Sequence, residues 1–264
     1  MADDDDLKAR LLAVRKPPPA FEEVRVAEHV ELTSRMLRVT LEGDVLRRIE
    51  IDQPAMSVRF VVPWPGDELE LPEWNGNEFL LADGSRPALR TFTPLRHDAA
   101  SGRLDLEIVR HEGGAVSNWA ETAARGSAAA LSGPGVGYEF PADASRLLVF
   151  GDETALPAVG QLIDMAPADL VLDIHAEVIR ADARLDLGAR LIDSVTWYET
   201  PSGATPGGRL ADRMGELDEL PGDTHVWAAG EASSVQRIRN HLFKSLGVER
   251  SRGTVRGYWK PARH

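Results

Sequence analysis

Arg90-Thr91-Phe92-Thr93 sets a guanidinium, a ring and hydroxyls at alternating positions of one short extended run. A guanidinium fork pairs with a diphosphate, a ring packs on a planar group, and a hydroxyl bonds an isoalloxazine edge. The set therefore suits a flavin nucleotide, although Arg and Thr also occur on ordinary exposed strands. A second candidate follows in His111-Glu112-Gly113-Gly114-Ala115-Val116-Ser117-Asn118-Trp119-Ala120, which is glycine-rich and then turns helical. Backbone N–H groups at such a helix start receive phosphate. The segment lacks G-x-G-x-x-G and follows no parallel strand, so it is not a Rossmann turn; a plain glycine turn is the alternative. The third candidate, Gly151-Asp152-Glu153-Thr154-Ala155-Leu156-Pro157-Ala158, directly follows the apolar run Leu147–Phe150. Open α/β sheets bind ligands at such strand ends. Thr154 is expected to cap the following helix, with Pro157 in its first turn. Trp227-Ala228-Ala229-Gly230-Glu231 repeats the arrangement, and Gly257-Tyr258-Trp259-Lys260 lies close to the C-terminus.

Two patterns must position these groups. From Val24 to Phe140 apolar residues recur at every second position, as in Val58, Phe60 and Val62 or Leu104, Leu106 and Ile108. Pro65-Gly66, Asp83-Gly84 and Ser101-Gly102 punctuate them, which predicts a barrel of short antiparallel strands. After Pro141 the period changes. Leu147–Phe150, Leu170–His175, Val195–Tyr198 and Val226–Ala229 read as buried strands. Helical stripes run through Leu156, Val159 and Ile163, through Leu210, Met214 and Leu217, and through Val235, Ile238, Leu242 and Leu246, ending at Gly247. Strands alternating with helices give a parallel α/β sheet. A short helical turn is expected around Leu11 and Leu12, before the break at Pro17-Pro18-Pro19. The expected organisation is a flexible segment 1–21, a β-barrel domain 22–142 and an α/β domain 143–264.

Composition narrows the function further. The 264 residues include no cysteine, which removes disulfides, Fe–S clusters, thiolate zinc sites and cysteine nucleophiles. The seven histidines show no ligand spacing, so no protein-bound metal is expected. No apolar run reaches the roughly 20 residues of a membrane span. The MADDDD start lacks the pattern of a secretory signal, so a cytoplasmic location is expected. A formal charge of −12 argues against nucleic-acid binding. Between Lys244 and His264, however, stand six Lys and Arg residues and one acid, Glu249. That segment is either a solvated basic tail or a local anion site.

R-T-F-T, G-G-A-V-S-N-W-A, G-D-E-T-A-L-P-A, W-A-A-G-E and G-Y-W-K, in this order over residues 22 to 260, strongly resemble the siderophore-interacting proteins. The resemblance implies an FAD-dependent ferric-siderophore reductase of ferredoxin-reductase-like architecture: a Greek-key FAD-binding barrel followed by a parallel-sheet domain for NADPH or NADH. It implies flavin contacts from Arg90, Thr91, Phe92 and Thr93, and a phosphate turn of His111, Gly114, Ala115, Val116 and Ser117. It implies a nicotinamide cleft lined by Asp152, Thr154, Ala155 and Glu231, with Tyr258 and Trp259 near the flavin. Arg59 and Lys260 match basic positions of the family. Two departures stand out: Phe92 replaces the usual Tyr, and Pro94-Leu95 delay the second arginine to Arg96.

A nicotinamide yields two electrons as hydride while Fe(III) accepts one, and a flavin mediates between them. Reduction loosens a hard-oxygen chelate without any protein ligand to iron, so no catalytic acid, base or nucleophile is expected. Arg59, Lys260 and Arg263 are the candidates for holding an anionic ferric siderophore, with Arg59 on the strand face opposite Val58, Phe60 and Val62. Arg180 and Arg184 could receive an NADPH 2′-phosphate, whereas Glu177 could repel it. A ferredoxin is an alternative donor, and a monomer is expected. Competing readings are a flavoenzyme with another acceptor, such as a quinone, and a siderophore-binding module without catalysis.

Overall fold

The computed structural model describes residues 17–261, so the expected turn at Leu11 and Leu12 and the candidate Arg263 lie outside the described residues. The first half folds as a seven-stranded antiparallel sheet in the order β6-β3-β9-β1-β2-β8-β7. Its strands are β1 (Glu22–Thr33), β2 (Met36–Glu42), β3 (Ser57–Val62), β6 (Ala88–Phe92), β7 (Leu95–Asp98), β8 (Arg103–Val109) and β9 (Ala128–Gly135). The small hairpin β4 (Glu73–Trp74) and β5 (Phe79–Leu80) stands apart. Because β9 inserts between β3 and β1, the order is that of a Greek key, as expected, and not a meander.

The period of two does what it predicts. Val58, Phe60 and Val62 join Val39, Leu106 and Leu131 in the barrel core. Val61 faces the other way, into a smaller cluster with Phe21, Phe79 and Ala130. Both faces of β3 are therefore covered. The chain ahead of β1 is held as well: Ser132 donates to the Pro19 carbonyl at 2.6 Å. Helix α1 (Ala115–Thr122) packs against β3, β6 and β8, with Val116 and Ala120 buried in the core.

The second half is a five-stranded parallel sheet in the order β12-β11-β10-β13-β14. Its strands are β10 (Arg146–Asp152), β11 (Val171–Val178), β12 (Ser194–Glu199), β13 (Thr224–Glu231) and β14 (Gly253–Trp259). Helices α2 (Leu156–Met165), α3 (Gly208–Gly215) and α4 (Ala232–Asn240) connect them. Leu147, Val149 and Trp227 bury one sheet face beneath α2, and Leu148, Phe150 and Val226 the other beneath α3 and α4. The strand order reverses between β10 and β13. Their carboxyl ends, at Asp152 and Glu231, therefore flank the position where sheets of this kind open a ligand crevice.

The second half also grips the first. On α2, the Gln161 side chain accepts from Ala55 N at 2.9 Å and donates to the Pro94 carbonyl at 2.6 Å. Arg35, at the β1–β2 turn, pairs with the buried Glu153 at 3.0 Å. No helix among the described residues is long and apolar enough to cross a membrane.

Candidate functional site

Strand β6 ends at Phe92 with its two faces differently loaded. Arg90 lies opposite Phe60 in register, Thr91 opposite Arg59, and Phe92 opposite Val58. Thr91 and Arg59 thus share the outer face. The Phe92 ring is edge-on to Phe60 at 5.9 Å, and Trp119 of α1 meets the same Phe60 at 5.4 Å. One core ring therefore ties the R-T-F-T strand to the helix of the glycine turn. Arg90 is exposed, and among the described residues its guanidinium donates only to the adjacent Leu89 carbonyl. Thr93, just past the strand, is buried.

The glycine turn closes as one unit. The backbone N–H of His111 donates to Ser117 Oγ at 2.9 Å. The His111 ring lies over Gly114, where an added Cβ would fall 2.2 Å from ring Cε1, so a larger residue there would have to push this exposed ring aside. Gly114 is the N-cap of α1 and carries no side-chain cap. The first helical bond runs from Asn118 N to the Gly114 carbonyl, which leaves the N–H groups of Ala115, Val116 and Ser117 ahead of it. An uncapped start on a helix that packs against β6, together with an exposed arginine on that strand that has no carboxylate partner among the described residues, has the donor set that a flavin diphosphate requires, and in that sense the residues fit the cofactor.

The strand ends of the parallel sheet are organised by carboxylates. Asp152 is 2 % exposed and accepts four hydrogen bonds. Thr154 N (2.9 Å) and Thr154 Oγ1 (2.6 Å) donate to Oδ1, while Glu231 N (2.7 Å) and Trp259 Nε1 (2.9 Å) donate to Oδ2. Burial pushes its pKa up, and these donors offset part of the rise. Gly230, at φ +147, lies so close that a Cβ there would sit 2.5 Å from Asp152 Oδ2. Thr154 is thus spent on Asp152. The helix cap expected of it does not form, because the N-cap position of α2 is Ala155, which offers no side-chain cap. Pro157 sits in the first turn as expected.

Glu231 is also committed. Its carboxylate accepts from Ser233 N and Ser234 N, both at 2.8 Å, and caps α4. Burial would raise its pKa, but the bonds from Ser233 and Ser234 hold it below the usual range. Glu177, expected to face a dinucleotide, is instead 1 % exposed. It accepts from Thr200 Oγ1 (2.8 Å), Arg209 N (3.0 Å) and Leu210 N (3.3 Å) at the start of α3. These carboxylates are internal fasteners.

At the chain's aromatic end, Trp259 is anchored through Asp152, whereas Tyr258 is 38 % exposed and edge-on to Trp227 at 6.5 Å. The basic segment is divided in its roles. Arg250 stacks over Phe243 at 5.2 Å, and Arg252 donates to the Thr224 carbonyl at 2.7 Å, so both are structural. Arg256 and Lys260 are exposed. Arg59 lies over the Phe79 ring at 5.7 Å, on the outer face expected for it. Arg96, the delayed second arginine, has φ 42 and binds Asp105 at 2.7 Å and Glu107 at 3.3 Å on the barrel wall. No cluster of three or more metal-ligating side chains occurs among the described residues.

Comparison with known proteins decides the kinship. Residues 25–138 match the siderophore-interacting FAD-binding domain, and residues 144–262 match the siderophore-interacting protein model. The chain belongs to the siderophore-interacting protein family. An uncharacterized protein of Mycobacterium tuberculosis is 31% identical over 194 residues, covering 69% of each chain. The ferric vibriobactin reductase of Vibrio cholerae is 26% identical, covering 87% of this chain and 85% of the relative. The crystal structure of a siderophore utilization protein from T. fusca superimposes with a TM-score of 0.81 at 30% identity, over 95% of this chain and 96% of that one. At the level of fold alone, a ferredoxin-NADP+ reductase from Plasmodium falciparum aligns over 89% of this chain and 95% of its own, with TM-score 0.61 and 11% identity. The siderophore-interacting fold is therefore a variant of the ferredoxin-reductase fold, as the sequence motifs imply.

Sequence reasoning had missed the fasteners. Glu153, Gln161 and Arg35 are polar residues beside strand or helix ends, and nothing in their spacing announces that they join the two halves.

Proposed function

We propose that this member of the siderophore-interacting family reduces ferric siderophores with electrons from a nicotinamide and so releases Fe(II). The observation that carries the reading is an uncapped, glycine-led helix start and the exposed Arg90 in one barrel, followed by a parallel sheet with a switch point between β10 and β13. Arg90 and the first-turn N–H groups of α1 would hold the FAD diphosphate. Phe92 and Thr93 would contact the ring system, with Tyr258 and Trp259 near it, whereas Thr91 lies on the face it shares with Arg59. FAD, when bound, supplies the conversion of a two-electron donor into single electrons.

The protein's own work is positional. The Asp152 carboxylate fixes the ends of β10, β13 and β14 relative to one another, so the nicotinamide would meet a rigid sheet edge. Gln161 and Arg35 hold that edge against the barrel. Lys260 and Arg59 would attract an anionic chelate to an otherwise negative surface, with Arg263 as a further candidate. No side chain needs to transfer a proton to iron or ligate it.

The ferric vibriobactin reductase relative supports a ferric chelate as acceptor in preference to a quinone. The test is spectroscopic. Purified protein should be yellow, and anaerobic NADH or NADPH should bleach the flavin band. A colourless protein that binds no FAD would refute the proposal; a yellow protein bleached only by reduced ferredoxin would replace the donor.

A further inference from the structure

Beyond the end of β11 the chain carries two arginines that are already paired with carboxylates. This inference rests on the nicotinamide reading above. In parallel sheets of this kind the dinucleotide crosses the carboxyl ends of the strands, and an arginine past a neighbouring strand receives the 2′-phosphate that distinguishes NADPH from NADH. Past the end of β11 the chain offers Arg180 and Arg184.

Arg180 Nε lies 2.8 Å from Asp182, and its Nη2 donates to Ser34 Oγ at 3.2 Å. Ser34 in turn donates to the second Asp182 oxygen at 2.8 Å. The barrel's β1–β2 turn thus closes a three-membered network over this arginine. The Ser34 bond, together with Arg180, holds the Asp182 pKa below its usual value, so the carboxylate is ionised throughout the neutral range. Arg184 pairs with Glu199 at 2.9 Å and lies over the Trp197 ring at 5.9 Å. Two cations and two carboxylates sum to zero.

A 2′-phosphate carries nearly two negative charges at pH 7 and needs a net positive pocket. Here it would have to displace Asp182 and Glu199 and then remain beside them. The nearby Glu177 is buried and bonded to the start of α3, so it adds nothing to the positive side. Arg209, exposed at that helix start, has no carboxylate partner among the described residues and is the one cation that could oppose this reading.

We propose that the donor site selects the non-phosphorylated dinucleotide, with Asp182 and Glu199 as the specificity-determining residues that reject a 2′-phosphate.

The test is equilibrium binding of NAD+ and NADP+ to the oxidised, FAD-loaded protein by calorimetry, alongside KM for NADH and NADPH. Wild type should bind NAD+ more tightly than NADP+. Asp182→Asn should improve NADP+ affinity by about two- to fivefold, and Asp182→Asn/Glu199→Gln by about tenfold, the changes expected when one and then two like charges are removed near an exposed site. NAD+ affinity should stay within about twofold, and the NADP+ gain should shrink as salt rises. Thermal midpoints close to wild type check that the variants are folded. Tighter NADP+ binding by wild type, abolished by Arg209→Ala, would overturn the inference while leaving nicotinamide donation intact. Equal changes for both nucleotides in Asp182→Asn would also overturn it. If neither nucleotide binds or bleaches the flavin, the nicotinamide reading falls and this inference with it.

Discussion

Replacing Asp152 by asparagine tests whether one buried carboxylate organises the strand ends. Four donors converge on it from the Thr154 backbone and hydroxyl, the Glu231 backbone and the Trp259 indole. Asparagine keeps the shape but turns an NH2 toward one donor pair. If its oxygen stays with Glu231 and Trp259, the Thr154 hydroxyl can rotate to accept, but the Thr154 N–H cannot. One buried donor is then unpaired, at about 1–3 kcal/mol, and two further bonds lose their charge assistance. Relief of carboxylate burial, the cause of the raised pKa, returns part of that cost. The net expectation is about 2–3 kcal/mol of destabilisation, or roughly 4–12 °C in Tm for a chain of this size. Differential scanning calorimetry on the FAD-loaded protein measures it. Trp259→Phe should cost about 1.5–3 kcal/mol through its single bond to a charged group. The double variant should fall short of the sum by about 1 kcal/mol, because the two residues share that bond. A Tm for Asp152→Asn within a degree of wild type, with strict additivity, would refute the idea that Asp152 couples β10, β13 and β14.

Arg90→Ala should weaken FAD binding by roughly tenfold or more, since a charge-assisted partner of the diphosphate is worth about 1.5–3 kcal/mol; fluorescence titration of the apoprotein reads it, and an unchanged dissociation constant would remove this strand from the flavin site. Lys260→Ala should raise KM for an anionic ferric siderophore at low ionic strength and leave FAD content unchanged, with the effect fading as salt approaches a Debye length of about 8 Å. Asp193 offers a pH test. Burial opposes its ionisation, but bonds from Arg190 and Leu172 N outweigh this and hold its pKa below the usual value. Its stabilisation is therefore complete above the unfolded carboxylate range and is lost as pH falls through the lower folded value. Asp193→Asn should cost about 2–3 kcal/mol at pH 7 and flatten the acid limb of a urea-melt pH profile; an unaltered acid limb would count against the Arg190 pair.

The fold could be read because its two periods are strong. Alternation through Val58, Phe60 and Val62 and the unbroken run Leu147–Phe150 each have one packing solution, and the structure adopts both. The glycine turn was legible too, because paired glycines end the strand pattern and the helix that follows starts at Ala115. Side-chain roles at strand ends were harder. Thr154 before a helix reads as a cap, but Asp152 two residues earlier is a stronger acceptor and claims its hydroxyl. Glu177 read as a carboxylate able to repel a 2′-phosphate, yet it serves a helix start 32 residues further along the chain. Such partnerships depend on which loops the fold brings together, and local spacing carries no trace of them. The basic C-terminal stretch shows the same limit. Arg250 and Arg252 are taken up by a ring and a carbonyl, while Arg256 and Lys260 stay exposed, and the four are alike in sequence.

The most direct test of the central claim is a single-turnover mixing experiment under anaerobic conditions. Protein reduced with one equivalent of nicotinamide is mixed with excess ferric siderophore and an Fe(II)-specific chelating dye. The account predicts return of the oxidised flavin band together with two Fe(II) captured per flavin, because each hydride carries two electrons and each iron takes one. Return of the flavin band without Fe(II), or no return until oxygen or a quinone is added, would contradict it.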